Sequence, residues 1–228
     1  MRYLPVIVPI LLLIALPVFG ASSFLSGFSG NILTPDSVIE TTGTWEASYH
    51  QAVNLLGDND NLTTFGVIYG ATPNLELGAS FVDNGESDTT LNAKYRLLAE
   101  TADRPAIIVG VFDAAGSADF LDDNAGFYLA LSKNVTPTAS EIAGGPSKPL
   151  RLTLGVGSGV FNGLFAGFDW TLEPKLSLMA EFFNGSLGGN DSFFNAGIRY
   201  AATDALRLDA ATIDFRDLAF GASYRIAF

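Results

Sequence analysis

The sequence predicts an all-β fold, a single antiparallel transmembrane β-barrel of about twelve strands, with ten as the alternative count. Three observations carry this reading. Apolar residues recur at every second position along most of the chain, no stretch past residue 20 suits a membrane-spanning helix, and the chain is apolar yet poor in charge. Charged residues make up 16% and hydrophobic ones 48% of the 228 residues, against roughly 25% charged in an ordinary soluble domain. Mean hydropathy is correspondingly positive at +0.31. Past residue 20 the longest uncharged stretch, Leu152 to Phe168, carries Gly155, Gly157, Gly159, Gly163 and Gly167 plus Asn162, a poor lipid-facing helix.

In chain order, Arg2 precedes an apolar run from Tyr3 to Phe19 and then the small residues Gly20-Ala21-Ser22-Ser23. A basic residue, an apolar core and small residues at the end read as a secretory signal over residues 1–20, with a retained anchor as the alternative. Residues 21–43 are assigned to a periplasmic or lumenal segment, and 44–228 to the barrel. The predicted strands are 44–53, 62–70, 75–82, 90–98, 105–113, 126–133, 150–157, 164–172, 176–183, 192–200, 206–213 and 218–228. The least regular is 105–113, where Ala106 to Phe112 is continuously apolar.

The alternation is plain in most of them. Leu75, Leu77, Ala79 and Phe81 interleave with Glu76, Gly78 and Ser80; Phe194, Ala196, Ile198 and Tyr200 oppose Asn195, Gly197 and Arg199. Successive strand side chains point to opposite faces, so each segment has one apolar face and one small or polar face. A secreted soluble β-sandwich binding protein would show the same pattern. The barrel is favoured because strands approach the nine or so residues a tilted membrane strand needs. The polar faces also mix Gly, Ser and Asn with Arg and Glu, as a wet lumen would. In addition, Tyr69, Trp170 and Tyr200 each stand six residues before a leucine that opens the next strand (Leu75, Leu176, Leu206). Aromatics at a common height form an interfacial girdle.

Charge and composition exclude other classes. Acidic residues outnumber basic ones 24 to 12, for a net charge of −12, so no nucleic-acid partner is expected. Cysteine is absent and His50 is the sole histidine, which leaves no thiolate or multi-histidine metal site and no expected cofactor. Odd-to-even connections, taken as extracellular, collect Asp58, Asp60, Asp83, Glu86, Asp88, Asp119, Asp122, Asp123, Asp191, Asp214 and Asp217. Such a surface disfavours anionic partners. The long 134–149 connection falls on the side where turns should be short.

By alternation the charged residues facing the lumen are Glu46, Glu76, Lys94, Arg96, Arg151, Asp169, Glu181, Arg199, Arg207, Asp209 and Arg225. Near balance of sign points to mutual pairing. Arg199, Arg207 and Arg225 are expected near the periplasmic end, either in an anion-attracting constriction or, preferably, paired with Glu76, Asp169 and Asp209. His50 points inward on the first strand. A catalytic role for it, as in an outer-membrane rim hydrolase, has no supporting motif: the run reads His50-Gln51-Ala52-Val53-Asn54.

The last strand ends Phe220-Gly-Ala-Ser-Tyr224-Arg-Ile226-Ala-Phe228. A terminal phenylalanine preceded by apolar or aromatic residues at alternate positions resembles the barrel-assembly signal of outer-membrane proteins. That resemblance implies as partners the barrel-assembly machinery and the lipid bilayer with its lipopolysaccharide. The run Gly27-Phe-Ser-Gly30-Asn-Ile32-Leu-Thr34-Pro35 is similar to the opening of YjbH-type exopolysaccharide-associated barrels. It implies exopolysaccharide-pathway proteins as partners. The expected function is a narrow passive channel, or a structural component of an envelope or exopolysaccharide pathway.

Overall fold

A computed structural model of the chain describes residues 22–23, 25–54, 61–83, 85, 87–116, 125–136, 148–187 and 190–227. The signal segment, most of the acidic-loop residues, Phe228 and residues 137–147 lie outside them. Twelve strands run in order: β1 Thr44–Val53, β2 Leu62–Thr72, β3 Leu75–Asp83, β4 Ser87–Leu98, β5 Ala106–Phe112, β6 Gly126–Asn134, β7 Leu150–Gly157, β8 Gly163–Glu173, β9 Leu176–Leu187, β10 Asn190–Ala201, β11 Leu206–Ile213 and β12 Asp217–Ala227. Each pairs antiparallel with its sequence neighbours, and β1 pairs with β12 from Thr44↔Ala227 to Val53↔Leu218, so the sheet closes into a barrel. Closure leaves no edge of unpaired backbone groups, which hydrocarbon would not tolerate. The twelve strands are the predicted ones, their ends shifted by a few residues at most. The apolar β5 pairs in full with β6, from Ala106↔Ser132 to Phe112↔Gly126. Among the described residues no helix is long and apolar enough to cross a membrane.

Alternation sorts the side chains as read from sequence. Outside stand Phe65, Leu77, Leu91, Phe127, Leu154, Leu164, Phe194 and Phe220, all exposed. An apolar patch of this extent is stable only against another apolar phase. At the end where β1 starts and β12 finishes, here the proximal end, Trp45 and Tyr69 stack with ring centroids 4.4 Å apart. Tyr95, Trp170, Tyr200 and Tyr224 stand exposed nearby in register. Phe220, Tyr224 and Ile226 of the final strand all face outward.

The inner face departs from the expected wet lumen. Its proximal half is polar and charged, but towards the distal end it is lined by Leu62, Val82, Phe112, Tyr128, Phe165, Phe183, Phe193 and Ile213, all buried. Phe112, Phe165, Phe183 and Phe193 thus face inward, while Phe65, Phe81, Phe127, Phe194 and Phe220 stand outside. The distal inward positions hold phenylalanine because a second set of side chains fills the barrel there. A 3-10 turn, Gly159–Phe161, folds Phe161 back into this region. There it meets Phe165 at 5.5 Å, Phe183 at 5.9 Å and Tyr128 at 5.3 Å.

Glycine on the lumen face makes room for larger neighbours. A Cβ at Gly221 would lie 2.1 Å from His50 Cδ2 and 2.4 Å from the Tyr49 carbonyl. The Gly221→Val variant should therefore lose about 1–3 kcal/mol, the usual cost of overpacking. Urea titration of the folded, detergent-solubilised barrel, followed by its gel mobility without boiling, checks this.

Candidate functional site

The space inside the barrel is filled by residues 22–23 and 25–40, which precede β1. Ser22, Ser23, Leu25, Phe28, Ser29, Asn31, Ile32, Thr34, Asp36, Ser37 and Glu40 are all buried. A free loop at this place would leave its backbone amides without partners, at a cost of about 1–3 kcal/mol each. Carboxylates projecting from the wall supply those partners. Glu181 of β9 accepts from the backbone N–H of Ile32 (3.1 Å), Leu33 (2.8 Å) and Thr34 (3.0 Å) and from the Thr34 hydroxyl (2.7 Å). Asn195 of β10 donates to the same carboxylate at 2.7 Å. Glu76 of β3 accepts from the N–H of Ser29 (3.0 Å) and Glu40 (2.8 Å). Glu46 of β1 accepts from the N–H of Ser23 at 2.8 Å.

Cations hold the plug from the opposite polarity. Lys94 is 1% exposed; its ammonium donates to the carbonyls of Ser29 (2.8 Å) and Val38 (2.6 Å) and to the Ser29 hydroxyl. It also lies 3.5 Å from Glu76. Arg199 donates to Asp209 at 2.7 Å and to the plug carbonyls of Gly30 (3.3 Å) and Asn31 (3.4 Å). Arg225 donates to Glu40 at 3.0 Å, and Arg207 lies 3.4 Å from Glu46. Burial raises the Glu40 carboxyl above its usual range, although Arg225 and the Thr41 N–H act the other way.

The fit is close at Gly27. Its φ is +68°, a conformation that favours glycine, and an added Cβ would stand 1.6 Å from the Ser80 hydroxyl oxygen. Gly27 thus lets the chain turn against the wall, so that Leu25 and Phe28 reach the distal aromatic region. Phe28 packs edge-on to Phe112 at 5.5 Å and tilted to Tyr128 at 6.0 Å.

The lumen-facing charges divide in three. Glu46, Glu76, Lys94, Glu181, Arg199, Arg207, Asp209 and Arg225 gather around the plug. Arg151 and Asp169 line an open vestibule of about 550 Å³ at the proximal end, together with Arg199, Arg207 and Lys175. Arg151 donates to Glu100 at 3.1 Å and to Ser37 at 2.9 Å. Arg96 takes no part: it reaches over the proximal rim to the Pro73 carbonyl at 2.6 Å. Of the partners anticipated for the arginines, Asp209 serves Arg199, while Glu76 serves Lys94 and Glu40 takes Arg225. Glu40 escaped the sequence reading because it precedes the first strand, where alternation assigns no face. His50 is fully buried, its Nε2 3.3 Å from Asp209, so the residue of the rim-hydrolase alternative is a member of this wall network. Among the described residues no cluster of metal-binding side chains is present.

With this geometry in view, the class is that of a closed twelve-stranded antiparallel β-barrel whose lumen is occupied by the segment that precedes β1. Solved structures share the barrel. The KdgM porin aligns with a TM-score of 0.52 at 12% identity, over 81% of this chain and 99% of its own. The NanC porin aligns at 0.51 and 9% identity, over 80% of this chain and all of its own. A KdgM porin in complex with disordered oligogalacturonate gives 0.51 at 11% identity, over 81% and 99%. At these identities the likeness is one of fold. No family model matches the chain, and no curated protein matches it.

The chain has no cysteine, so a single Ser37→Cys reports the plug's exposure cleanly. Adding Glu181→Ala leaves the Ile32, Leu33 and Thr34 amides without their acceptor. The loss of about 1.4 kcal/mol or more should raise the rate of labelling by a membrane-impermeant maleimide roughly tenfold.

Proposed function

We propose that this protein is an outer-membrane β-barrel of the passive-channel class, exported by its N-terminal signal and held closed by residues 22–40. The carrying observation is that Glu181, Glu76 and Glu46 bind the backbone amides of one segment in mid-lumen. An apolar exterior with a proximal aromatic girdle supports membrane residence, and the porin-type fold supports a channel over a soluble β-sandwich. The vestibule would be the periplasmic mouth. The plug's polar half meets the charged wall, and its apolar half meets the aromatic one. Solute passage therefore requires the plug to move, and the conducting form is a minor population.

A structural role in the envelope, in keeping with the resemblance of the Gly27–Pro35 run to exopolysaccharide-associated barrels, is the competing reading. The seated plug favours it as far as a permanently closed barrel needs no path.

Planar-bilayer recording separates the two. The intact chain should show rare, brief openings. Deletion of residues 22–40, or Gly27→Leu, should give steady conductance at least tenfold higher in mean current. A correctly folded deletion variant that stays silent would leave only the structural role.

A further inference from the structure

Three features of the interior invite a role beyond closure: the proximal vestibule, the buried His50–Asp209–Arg199 group, and the distal aromatic chamber. The vestibule's arginines already hold carboxylates or plug carbonyls, and His50 has no solvent access. The chamber is different. Water-filled barrels line their lumens with polar groups, yet this one is walled by Phe112, Phe161, Phe183 and Val82. What covers that wall is supplied by the plug, through Leu25 and Phe28, and a void of about 30 Å³ remains between them. The plug's strong attachments, to Glu181, Glu76 and Glu46, are polar and are made by other residues, Ser29 beside Phe28 among them. Phe28 therefore sits in the chamber as a replaceable apolar group.

Two acidic residues adjoin the residues of the chamber's wall, one in sequence and one in register. Asp113 directly follows Phe112, is fully buried and adopts a φ of +47°. Asp88 pairs in register with the chamber residue Val82, and one of its carboxylate oxygens is buried without a hydrogen-bond partner. An unpartnered buried carboxylate oxygen is costly and invites a cation. Cationic groups near an apolar, aromatic-walled cavity define an amphiphile.

We propose that the distal chamber is a binding site for the apolar tail of a cationic amphiphile, whose head group is held by Asp88 and Asp113. Phe28 is its built-in occupant. The proposal deepens the channel reading above and rests on it: the ligand competes with Phe28 for the aromatic wall and so favours the unplugged state. Equal affinity for both states would shift nothing, but here the tail binds only where Phe28 has left. Net negative charge on the chain steers the same class of ligand towards it.

The test uses the full chain in lipid vesicles with one reporter, Ser26→Cys, a buried plug position. Labelling by an impermeant maleimide is followed with sub-lytic decyltrimethylammonium, decanoate or maltotriose. The expected result is labelling accelerated at least tenfold by the ammonium amphiphile, severalfold less by decanoate, and unchanged by maltotriose. Phe28→Ala in the same background, a change confined to the plug, should lower the half-effective ammonium concentration at least threefold. No acceleration by decyltrimethylammonium, equal acceleration by decanoate, or an unmoved half-effective concentration in Phe28→Ala each overturns the proposal. Labelling reads the plug and not current, so silence of the plug-deleted barrel in bilayers would defeat the channel reading separately.

Discussion

The structure depends on one kind of interaction: carboxylates on the barrel wall accepting backbone N–H groups of a segment that has no secondary structure of its own. A strand satisfies its amides by pairing, and a helix does so internally. Residues 22–43 do neither for most of their length, apart from isolated bridges such as Gly30↔Pro35. In a buried lumen their amides need acceptors, and an ionised acceptor gives the stronger bond. Glu181, gripping three consecutive amides from Ile32 to Thr34, is in effect an anion seated in a backbone nest. The same contact explains how a buried carboxylate with no cation within ion-pair distance among the described residues is stabilised: N–H and amide dipoles replace the counter-ion.

The remaining charges follow from that commitment. With Glu46 and Glu76 engaged by the plug, cations must share them. Lys94 and Arg207 do so, while Arg199 takes Asp209 and Arg225 takes Glu40. Each arginine and lysine is thus held by acid on one side and, for Lys94 and Arg199, by plug carbonyls on the other. Removing one member leaves an uncompensated charge in a poorly solvated space, which costs more than the pair contributes. The plug and the wall charges form one unit for that reason, and the proximal vestibule is what remains of the lumen once the unit is assembled.

Longitudinally the lumen has two chemistries. The distal half is an aromatic core, with Phe28, Phe112, Phe161, Phe165 and Phe183 in edge or tilted contacts. The proximal half is ionic. Plug residues on either side of Gly27 and Ser29 match each, which gives the segment a single seating. Displacing it along the axis would set Phe28 among charges and Ser29 among rings, so a sliding motion is penalised at both ends.

Period-two alternation by itself marked the strands, placed their limits within a few residues, and gave each an apolar outward face and a polar inward one that carries Glu76, Lys94 and Glu181, because strand geometry ties sequence parity to side. It could not say what those inward groups would meet. Parity assigns a face and not a depth, so Arg96 reads like Lys94 although one grips the proximal rim and the other is sealed beneath the plug. Phe165, Phe183 and Phe193 read like lumen-side exceptions when they are a second core. Above all, nothing local in Gly27 to Pro35 shows that it folds inside. Its partners Glu76 and Glu181 are 47 and about 150 residues away, and only closure of the twelve strands brings them to it. The sequence settled which side the strand residues face; the tertiary structure decided that the inside is occupied, because burying unpaired amides required acceptors that only the assembled wall provides.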